Sequence, residues 1–549
     1  MNAELRFGTS GLRDTVENMT DLECYINARG FIAYLKMLGE FKKGDNIAIG
    51  GDRRPSTHRI KQAVAAAISD MDGMVDDQGQ VPSPCLAYYA MCNNMASIMV
   101  TGSHIPADRN GIKFTKRSGE ILKSDEPGIL ENVRKERATV SSVPGKDPLF
   151  DKNGTFKASF ESKFRKLLKA ESYTGKAREL YIDRYRNAFG DDFFPEGTKI
   201  FLYQHSAVGR DIVKEIFESL GAKIFAPDIK IGGEPIRSDE FVPVDTESVS
   251  DKTLAIFEKV LVDNDLDIGI TLDGDSDRPL LVYRERKAGK PTGNVKYITG
   301  DILGLLAILG LQNLNIKVDA VCVPVSANDS IMKVCKDKGI EVTLTKIGSP
   351  FVIAAMNDSI GSHSGRWNVF GWESNGGFLT GADIGVGGNT LKALPTRDAV
   401  LPLISVIHLI VKSGSNVSQF LKALPKRFTH ADRKKEFPME MGKAIIGYLT
   451  PKDLNNKKEF GKIKKRIEEI FLSGDGFGKV ESVDYTDGVR ILFDNGEISH
   501  LRPSGNAPEF RVYAIADSQD RAREMVQIGI EKVVPRLAKI SSASLATLS

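Results

Sequence analysis

The sequence predicts an α/β fold with mixed, mostly parallel sheets, followed by a smaller C-terminal α+β domain. Two observations lead to this expectation. A unit of strand, helix, glycine stop and strand recurs three times, which is the pattern of a βαβ crossover in a parallel sheet. The last part of the chain instead has short alternating runs broken by Asp-Gly and Asn-Gly, a strong signal for antiparallel hairpins.

The three copies share an order of elements and little sequence identity. The first runs from DNIAIGGD through the helical STHRIKQAVAAAISDM to GMVDDQGQVPSP. The second comprises TKIFLYQH, GRDIVKEIFESLGA and KIFAPDIKIGGEP, and the third comprises DAVCVPVS, NDSIMKVCKDKGI and EVTLTKIGSP. Because ligands gather at the carboxyl ends of parallel strands, the polar loops that follow such strands are the candidate sites.

The C-terminal part is expected to contain hairpins followed by a helix. The hairpins are predicted within VESVDYTDGVRILFDNGEISHLRPSGNAPEFRVYAIAD, and the helix is SQDRAREMVQIGIEKVVPRL. Three segments rich in Lys, Asp and Gly, at 140–175, 284–296 and 430–460, are interpreted as surface insertions or linkers.

Length, composition and charge indicate a soluble protein of several domains and give no sign of a polyanionic partner. A chain of 549 residues is too long for one ordinary core, and 41% hydrophobic with 27% charged residues is typical of a soluble globular protein. Lys and Arg number 75 against 72 Asp and Glu, and the net charge of +3 provides no field for a polyanion. We therefore expect no nucleic-acid partner.

Cysteine usage and hydropathy predict a cytoplasmic protein. The five cysteines, at 24, 85, 92, 322 and 335, form neither a CxxC motif nor a metal-type spacing, so reduced thiols are expected. The start, MNAELRFGTSGLRD, has charges where a signal peptide needs an apolar core. No stretch approaches eighteen uninterrupted apolar residues, so no membrane span is expected.

The first of four polar loops lies in IMVTGSHIPADRNGIKF. Residues 96–100 form an apolar run that predicts a buried strand, and Ser103 lies just past its end. Gly102 would let the backbone approach a ligand closely, while His104 and Lys113 are groups for proton transfer or phosphate pairing. Taken alone, Thr-Gly-Ser after a strand is more often a turn or a helix N-cap. Ser103 is thus a nucleophile or a turn residue at this stage.

The second loop, LDIGITLDGDSDRP, places Asp273, Asp275 and Asp277 at alternate positions after another apolar run. Carboxylates this close repel one another, and a hard cation with oxygen ligands is the usual remedy. An EF-hand needs Gly and Glu at positions that here hold Arg278 and Arg284. We favour Mg²⁺, which takes few carboxylates and leaves room for a phosphate oxygen; the alternative is a solvated acidic turn.

The third loop, FGWESNGGFLTGADIG, offers Glu373 and Asn375 to sugar hydroxyls. The alternative is a glycine-rich hairpin whose Glu is merely exposed. The fourth loop, HLRPSGNAPEFRVY, has the guanidinium forks, hydroxyl and backbone N–H groups that usually cradle a phosphate dianion. Its candidate residues are Arg502, Ser504, Asn506 and Arg511. A turn with two surface arginines is the alternative there.

Two basic, glycine-rich motifs near the N-terminus add weaker signals. They are RFGTSGLRD, which contains Arg13, and GGDRRPS, which contains Arg53. Either arginine could face an anion.

The order of these loops carries a resemblance that no single loop does. FGTSGLR, TGSHIPADRNGIK, DGDSDR, GWESNGG and RPSGNAPEFR follow one another as in the α-D-phosphohexomutase family, the phosphoglucomutases and phosphomannomutases, over nearly the whole chain. The resemblance implies three related α/β domains and a smaller fourth domain around a central cleft, each supplying one loop. We expect them at 1–155, 156–298, 299–415 and 416–549.

The resemblance also implies a mutase that interconverts hexose 6-phosphate and hexose 1-phosphate through a bound hexose 1,6-bisphosphate. Ser103 would carry the phosphoryl group, and Lys113 would be the general acid or base. The implied Mg²⁺ ligands are Ser103, Asp273, Asp275 and Asp277. His104 would assist proton transfer and Arg278 would offset charge. The implied substrate-binding residues are Arg13, Glu373, Asn375, Arg502, Ser504, Asn506 and Arg511.

The chain departs from the family pattern at three loops. Ile105 stands where Asn is usual, Asn375 replaces a Ser with Trp372 before the Glu, and Asn506-Ala507 replaces Thr-Glu. Because the third loop reads the sugar hydroxyls, its change bears on the substrate. We expect mannose phosphate to be the preferred substrate, followed by glucose phosphate and then glucosamine phosphate. We expect the protein to be a monomer or a homodimer.

Three other functions were weighed against the mutase. A phosphatase with the same metal and serine would need ready access of water to the phosphoserine. A non-catalytic phosphosugar-binding protein would be expected to lack Ser103 or one of the three aspartates, which this chain keeps. A nucleotide-binding α/β protein would need a GxxxxGK[ST] or GxGxxG motif in the right context, which the sequence lacks.

Overall fold

The structure is a computed structural model that describes residues 4–8, 11–141, 149–168, 175–287, 290–454, 456–504 and 508–546. The chain forms two compact units. The first comprises Met1–Cys322 and Gly348–Phe420, and the second comprises Val323–Ile347 and Leu421–Ser549. The four domain ranges expected from the sequence are a finer division and stay predictions.

The first part of unit one contains a six-stranded sheet. Its elements are β1 (Leu12–Thr15), α1 (Asp21–Leu38), β2 (Asn46–Gly51), α2 (Thr57–Asp70), β3 (Met74–Gln80), α3 (Ser83–Cys92), β4 (Ala96–Val100), β5 (Arg109–Lys116), β6 (Gly119–Glu120), α4 (Glu126–Ser141) and α5 (Ala158–Arg165). The strand order is β1-β5-β4-β2-β3, with β6 beside β5. β2 is parallel to β3 and β4, whereas β5 is antiparallel to its neighbours. All five residues of β4 are buried, which confirms the predicted buried strand before Ser103.

The second part of unit one contains a five-stranded mixed sheet. Its elements are α6 (Gly175–Phe189), β7 (Lys199–Leu202), α7 (Arg210–Ser219), β8 (Lys223–Phe225), β9 (Lys230–Ile231), β10 (Glu234–Pro235), α8 (Asp251–Asp263), β11 (Ile268–Leu272), β12 (Pro279–Lys287) and β13 (Lys290–Ile298). The order is β13-β12-β11-β7-β8, with β7 parallel to β8 and β11 and with β12 antiparallel to β11 and β13. The segment 284–296, interpreted as a surface insertion or linker, lies at the surface but is not a linker, because residues 284–287 and 290–296 belong to the strands β12 and β13. β13 is largely exposed, so its polar residues suit an edge strand.

A third mixed sheet completes unit one. The chain continues with α9 (Gly300–Asn313), β14 (Ala320–Pro324), α10 (Ser330–Asp337), β15 (Glu341–Thr345), α11 (Ser349–Gly361), β16 (Val369–Trp372), β17 (Phe378–Thr380), β18 (Ile384–Val386), β19 (Asn389–Leu391), β20 (Leu394–Asp398), α12 (Val400–Lys412) and α13 (Val417–Ala423). Residues 320–322 of β14 pair in parallel with β16, and β16, β17 and β20 are antiparallel neighbours. α10 and β15 fall in unit two. In the described residues no single helix is long and apolar enough to cross a membrane. The helices α12 and α13, which are bent relative to each other, have together the length and composition of a membrane span.

Unit two is built on an antiparallel sheet. After α10 and β15 it contains β21 (Phe428–Lys434), α14 (Met439–Leu449), α15 (Lys457–Ile470), a 3₁₀ turn (Ser473–Asp475), β22 (Val480–Asp484), β23 (Val489–Phe493), β24 (Ile498–Pro503), β25 (Phe510–Ala516), α16 (Gln519–Ile528), a π-helical turn (Gly529–Val533) and α17 (Val534–Ala546). The order is β21-β25-β24-β23-β22, with every neighbouring pair antiparallel. The hairpins and the following helix are therefore confirmed, and Ser518 caps α16 by accepting the N–H of Arg521.

Two other predicted insertions belong to folded structure. The segment 430–460 contains most of β21 and all of α14, whose Ile445 and Leu449 are fully buried. The segment 140–175 lies partly outside the described residues, but its Phe150 and Phe156 are buried and their rings stack at 4.7 Å. Lys and Gly content misled here because the apolar residues that anchor these segments are few and widely spaced.

The three recurring strand–helix–strand units are confirmed. The helices and strands of all three strand–helix–strand copies are present, and β2–β3 and β7–β8 are parallel pairs. The fold class of mixed α/β sheets with a smaller C-terminal antiparallel domain is therefore confirmed. The five cysteines all lie in the described residues and form no disulfide, and only Cys92 of the five is exposed.

Candidate active site

The backbone of Ser103 is held in an unusual conformation directly after β4. Its φ of 57° lies in the left-handed region that residues other than glycine rarely adopt, and Ser103 is 1% exposed. Thr101 Oγ1 accepts the Ser103 N–H at 2.8 Å and itself donates to Asp52 Oδ2 at 2.8 Å. Conformations of this kind persist where surrounding contacts determine them, and they cluster at functional sites.

Arg54 binds the backbone of the serine loop through hydrogen bonds. Its guanidinium donates to the carbonyl oxygens of Ser103 at 2.9 Å and of Ile105 at 2.5 Å. A Cβ on Gly102 would lie 2.5 Å from Arg54 Cζ, so glycine is required there for the arginine to approach. The sequence singled out the neighbouring Arg53, but Arg53 binds Gln80 and Asp239 instead. Nothing in the structure explains the Ile side chain at 105.

The three aspartates of the second loop are buried together. β11 is buried over its whole length, and Asp273, Asp275 and Asp277 are 0%, 0% and 2% exposed. One carboxylate oxygen from each lies within 4.8 Å of the others. A Cβ on Gly274 would meet the Ser103 carbonyl at 2.5 Å, so this loop and the serine loop touch at a glycine. The alternative of a solvated acidic turn is wrong.

Ser103 contacts this cluster directly. Its Oγ donates to Asp273 Oδ2 at 2.5 Å and lies 3.4 Å from His104 Nδ1. Burial, together with the charges of Asp275 and Asp277, raises the pKa of Asp273 well above its usual value. Both oxygens of Asp273 accept hydrogen bonds, Oδ2 from the Ser103 hydroxyl and Oδ1 from the backbone N–H groups of Asp277 and Arg278.

The oxygen atoms of the cluster suit a divalent cation. Within the described part of the chain, Asp275 Oδ1 and Asp277 Oδ1 are buried without a hydrogen-bond partner. Buried carboxylate oxygens without a donor are costly unless something positive binds them. Arg278 Nε lies 3.7 Å from Asp277 Oδ1 and 3.9 Å from Asp273 Oδ2, too far for a hydrogen bond. Mg²⁺ prefers oxygen ligands and is usually bound by one or two carboxylates together with waters or phosphate oxygens, which this pair of free carboxylate oxygens can supply.

Lys113 links two of the aspartates from β5. Its Nζ donates to Asp275 Oδ2 at 2.6 Å and to Asp277 Oδ2 at 2.8 Å. Burial opposes the charge of the ammonium group, but the two carboxylates prevail and raise the pKa of Lys113. Against the same opposition of burial, Lys113 lowers the pKa of Asp275. In this arrangement Lys113 carries a proton that it can donate.

Arg397, on β20, is a central residue of the site that sequence reasoning missed. Its Nη1 donates to Glu373 Oε2 at 2.8 Å, and its Nε and Nη2 donate to Asp277 Oδ2 at 3.0 and 2.8 Å. The Arg397 side chain is 6% exposed. Arg397 thus joins the aspartate loop to the Glu373 loop, and the alternative of an exposed Glu373 is wrong. Its surroundings in the sequence, PTRDAV, contain no motif that could have identified it.

Asn375 and Trp372 have structural contacts in the third loop. Asn375 Oδ1 accepts the N–H of Gly377 at 3.0 Å, and Gly376 has a φ of 84°. The loop is therefore a tight turn between β16 and β17. Trp372 is fully buried and its Nε1 donates to the carbonyl of Asp301 at 3.1 Å. Trp372 belongs to the core and is not a sugar contact.

Arg13 stands among the cations of the site. The Arg13 side chain is exposed, but partial desolvation by the surrounding protein lowers the pKa of Arg13 to about 10, and the positive charges of Arg278 and Arg397 act in the same direction. Such mutual repulsion favours a bound anion, and phosphate is the anion that arginines bind best.

The fourth loop lies in unit two, between β24 and β25. Arg502 and Arg511 are directly opposed across the two strands, so their side chains share one face. Arg502 Nε lies 2.8 Å from Asp487 Oδ2, and Arg511 lies 3.8 Å from Glu509. The Ser504 N–H donates to the Glu509 carbonyl at 2.9 Å, which closes the turn. The prediction for Asn506 falls outside the described residues.

His104 is expected to stay neutral over the physiological pH range. Burial, aided by the positive charge of Arg278, lowers the pKa of His104 from 6.5 to about 2. Below pH 6.5 the His104 ring binds a proton in the unfolded chain but stays neutral in the folded protein. Protonation therefore favours the unfolded state, and the free energy of unfolding falls as pH drops below 6.5. The NMR signal of His104 can be assigned in histidine-labelled protein, because it is missing from the spectrum of His104→Gln. In the wild type this signal should not shift between about pH 5 and 8. A midpoint near pH 6 would contradict this.

Comparisons with known proteins now decide the family. The model for phosphoglucomutase/phosphomannomutase alpha/beta/alpha domain I matches residues 4–140, that for domain III matches 299–428, and that for the C-terminal domain matches 450–529. A phosphomannomutase from Salmonella muenchen is 35% identical over 549 residues, covering 97% of each chain. This chain belongs to the α-D-phosphohexomutase family. It is therefore an enzyme of the phosphohexomutase type.

Other relatives and solved structures agree with the family assignment. A phosphomannomutase from Sinorhizobium fredii is 32% identical and covers 96% of this chain and 98% of its own. A phosphoglucomutase/phosphomannomutase family protein from Burkholderia thailandensis has the same fold, with a TM-score of 0.67 at 17% identity and 97% coverage of both chains. The N-acetylphosphoglucosamine mutase of Aspergillus fumigatus, solved with GlcNAc-6P and magnesium, has a TM-score of 0.56 at 14% identity, covering 98% of this chain and 95% of its own.

Proposed function

We propose that this phosphohexomutase interconverts mannose 6-phosphate and mannose 1-phosphate through a phosphorylated Ser103 and mannose 1,6-bisphosphate. The observation that carries the proposal is the contact of one buried hydroxyl, Ser103 Oγ, with Asp273 in a cluster of three carboxylates. In the described residues, Asp275 Oδ1 and Asp277 Oδ1 of that cluster have no hydrogen-bond partner. A hydroxyl so placed is suited to hold a phosphoryl group, since transfer depends on positioning and charge neutralisation more than on covalent chemistry.

Proton movement at Ser103 follows from its contact with Asp273. When a phosphoryl group forms a bond to Oγ, the hydroxyl proton passes to Asp273 Oδ2, 2.5 Å away. The proton returns to Oγ when the phosphoryl group leaves.

Charge on the transferring group is offset by nearby cations. Mg²⁺, held by Ser103, Asp273, Asp275 and Asp277, would neutralise part of the phosphoryl charge when bound. Arg278 and Arg13 add positive charge on the same site. The resident Lys113 ammonium already compensates two of the carboxylates.

Lys113 is proposed as the acid and base for the sugar. When the sugar phosphate gives its phosphoryl group to Ser103, the sugar oxygen that is left needs a proton. The Lys113 ammonium, held between Asp275 and Asp277, is the donor. In the reverse transfer the neutral amine takes the proton of the attacking hydroxyl. His104, uncharged and 3.4 Å from Ser103 Oγ, is proposed to orient that hydroxyl.

Glu373 and Asn375 are proposed to bind the sugar hydroxyls, with Arg397 fixing the Glu373 carboxylate. Arg502, Ser504, Asn506 and Arg511 are proposed to hold the phosphate that does not react. A cradle of this kind binds a phosphate at C1 or C6 alike, which lets the bisphosphate turn over between the two half-reactions. Ser103 is 1% exposed, which restricts water and speaks against a phosphatase.

Mannose is favoured by two relatives above 30% identity, the proteins from Salmonella muenchen and Sinorhizobium fredii, which are both named phosphomannomutases. The decisive measurement is kcat/KM for mannose 1-phosphate, glucose 1-phosphate and glucosamine 1-phosphate on one preparation with hexose 1,6-bisphosphate as activator. We expect mannose to be preferred. A higher kcat/KM for either of the other sugars would contradict the mannose assignment and leave the mutase chemistry standing.

Asp275→Asn is expected to lower turnover by about 10²- to 10³-fold, because removing one charged ligand weakens both metal binding and charge neutralisation. Activity would be assayed across a range of Mg²⁺ concentrations. The matched control is Asp267→Asn, which changes an exposed aspartate that precedes β11 and pairs with Arg286. Equal turnover in Asp275→Asn and the wild type would remove the metal assignment.

A further inference from the structure

Ser83, which no motif in the sequence indicated, makes two contacts with the aspartate loop. Its Oγ donates to Asp275 Oδ2 at 2.5 Å, and its backbone N–H donates to the carbonyl oxygen of Asp275 at 3.0 Å. Ser83 is the first residue of α3, and Pro84 follows it. The first N–H groups of a helix lack partners within the helix, so this end of α3 is satisfied by the aspartate loop.

The side-chain contact places both nearby donors on one oxygen of Asp275. Lys113 Nζ also donates to Oδ2, at 2.6 Å, and lies 3.4 Å from Ser83 Oγ. Asp275 Oδ1 has no hydrogen-bond partner in the part of the chain that the structure describes. A carboxylate can rotate about its Cβ–Cγ bond, and two donors on the same oxygen oppose that rotation. The unpartnered oxygen is thereby kept in one position.

The backbone contact fixes the other end of the same residue. Because the Ser83 N–H holds the Asp275 carbonyl, the main chain and the side chain of Asp275 are both attached to the start of one helix. α3 has ten residues and is buried along most of its length, which makes it a rigid support. The positive end of its dipole also faces the carboxylate.

We propose that Ser83 is a positioning residue that presents Asp275 Oδ1 to the metal ion. This inference rests on the Mg²⁺ site of the proposed function. Groups that hydrogen-bond to metal ligands orient them, and removing such a partner typically weakens metal affinity by about 10- to 100-fold. Lys113 alone would not replace Ser83, since its ammonium is shared between Asp275 and Asp277.

The test compares Mg²⁺ binding by Ser83→Ala, Ser83→Thr and the wild type. Each full-length protein is freed of metal and titrated with Mg²⁺ in a calorimeter, without substrate. Ser83→Ala is expected to bind Mg²⁺ about 10- to 100-fold more weakly. Ser83→Thr keeps the hydroxyl and should stay within about threefold of the wild type. In activity assays, the Mg²⁺ concentration for half-maximal rate should rise in Ser83→Ala, while KM for the sugar phosphate stays unchanged.

The matched control is Ser250→Ala, which removes another hydroxyl at a helix start. Ser250 caps α8 by accepting the N–H of Thr253. This variant is expected to melt at a lower temperature and to bind Mg²⁺ like the wild type, which separates helix stability from metal positioning. If Ser83→Ala does not fold, Ser83→Cys replaces it, because a thiol fills the space and donates only weakly.

Two outcomes would overturn the inference, and only the second would also overturn the metal site of the proposed function. Undiminished Mg²⁺ affinity in Ser83→Ala or Ser83→Cys, beside a wild type that binds, would overturn the role of Ser83 alone. A wild type that binds no Mg²⁺ at millimolar concentration would overturn the metal site of the proposed function as well.

Discussion

Ser103→Ala is expected to abolish phosphorylation of the enzyme and to lower turnover by about 10⁴- to 10⁶-fold, as the loss of a nucleophile does in covalent catalysis. The variant lacks the oxygen that contacts Asp273, while the surrounding loop stays anchored by Asp52 and Arg54. Intact mass after incubation with a hexose 1,6-bisphosphate and Mg²⁺ measures the modification. The wild type should gain one phosphate and the variant none.

The matched control for this experiment is Ser97→Ala. Ser97 lies on β4, six residues before Ser103, and is also buried. It should retain both phosphorylation and most of the activity, so that loss of a buried hydroxyl is separated from loss of the acceptor. A phosphorylated Ser103→Ala, or a wild type that cannot be phosphorylated by any hexose bisphosphate, would refute the mechanism.

Arg397→Met is expected to lower the free energy of unfolding by about 3–5 kcal/mol, because it removes the guanidinium that pairs with two buried carboxylates and leaves Asp277 with Lys113 alone. Arg397 binds Asp277 and Glu373, whose side chains are 3% and 8% exposed. Burial already disfavours the charge on Asp277, and Arg397 is the strongest influence that lowers its pKa. Without it that pKa rises, and turnover with Mg²⁺ should fall too. Urea denaturation measures the first effect and a Mg²⁺-dependent assay the second.

Arg286→Met provides the comparison for Arg397→Met. Arg286 pairs with Asp267, which is 52% exposed, and surface pairs of this kind contribute under about 1 kcal/mol. Arg397→Lys should be intermediate, because it keeps the charge and loses the fork that reaches two carboxylates at once. A loss below about 1 kcal/mol in Arg397→Met would show that the two carboxylates find other compensation.

The contacts of Arg397 connect two loops that the sequence treats separately. Its guanidinium holds one carboxylate of the aspartate loop and the Glu373 carboxylate of the proposed sugar loop. A sugar that moves Glu373 therefore also acts on a proposed ligand of the metal. In the mechanism we propose, this provides a route by which substrate binding adjusts the charge around Ser103.

Several strands, the C-terminal hairpins and most of the candidate site residues can be predicted from the sequence alone. The strand before Ser103, the strand before the three aspartates and the C-terminal hairpins are encoded in local patterns of apolar runs and turn residues. Such patterns act within a few residues, so they can be recognised without the fold. The candidate nucleophile, the aspartates and Lys113 were found because each stands in a motif with a chemical purpose, and the structure brings them into contact.

The tertiary structure decided what these motifs could not. Arg397 and Ser83 stand in ordinary surroundings, and they matter only because the fold brings them within hydrogen-bond distance of residues 120 and 192 positions away. The fold buries the three aspartates as a cluster, in which Asp275 Oδ1 and Asp277 Oδ1 have no hydrogen-bond partner among the described residues. It also buries Glu373, whose carboxylate binds Arg397 instead of solvent. Burial and long-range pairing depend on the whole packing of the chain, and that information is not contained in any one segment.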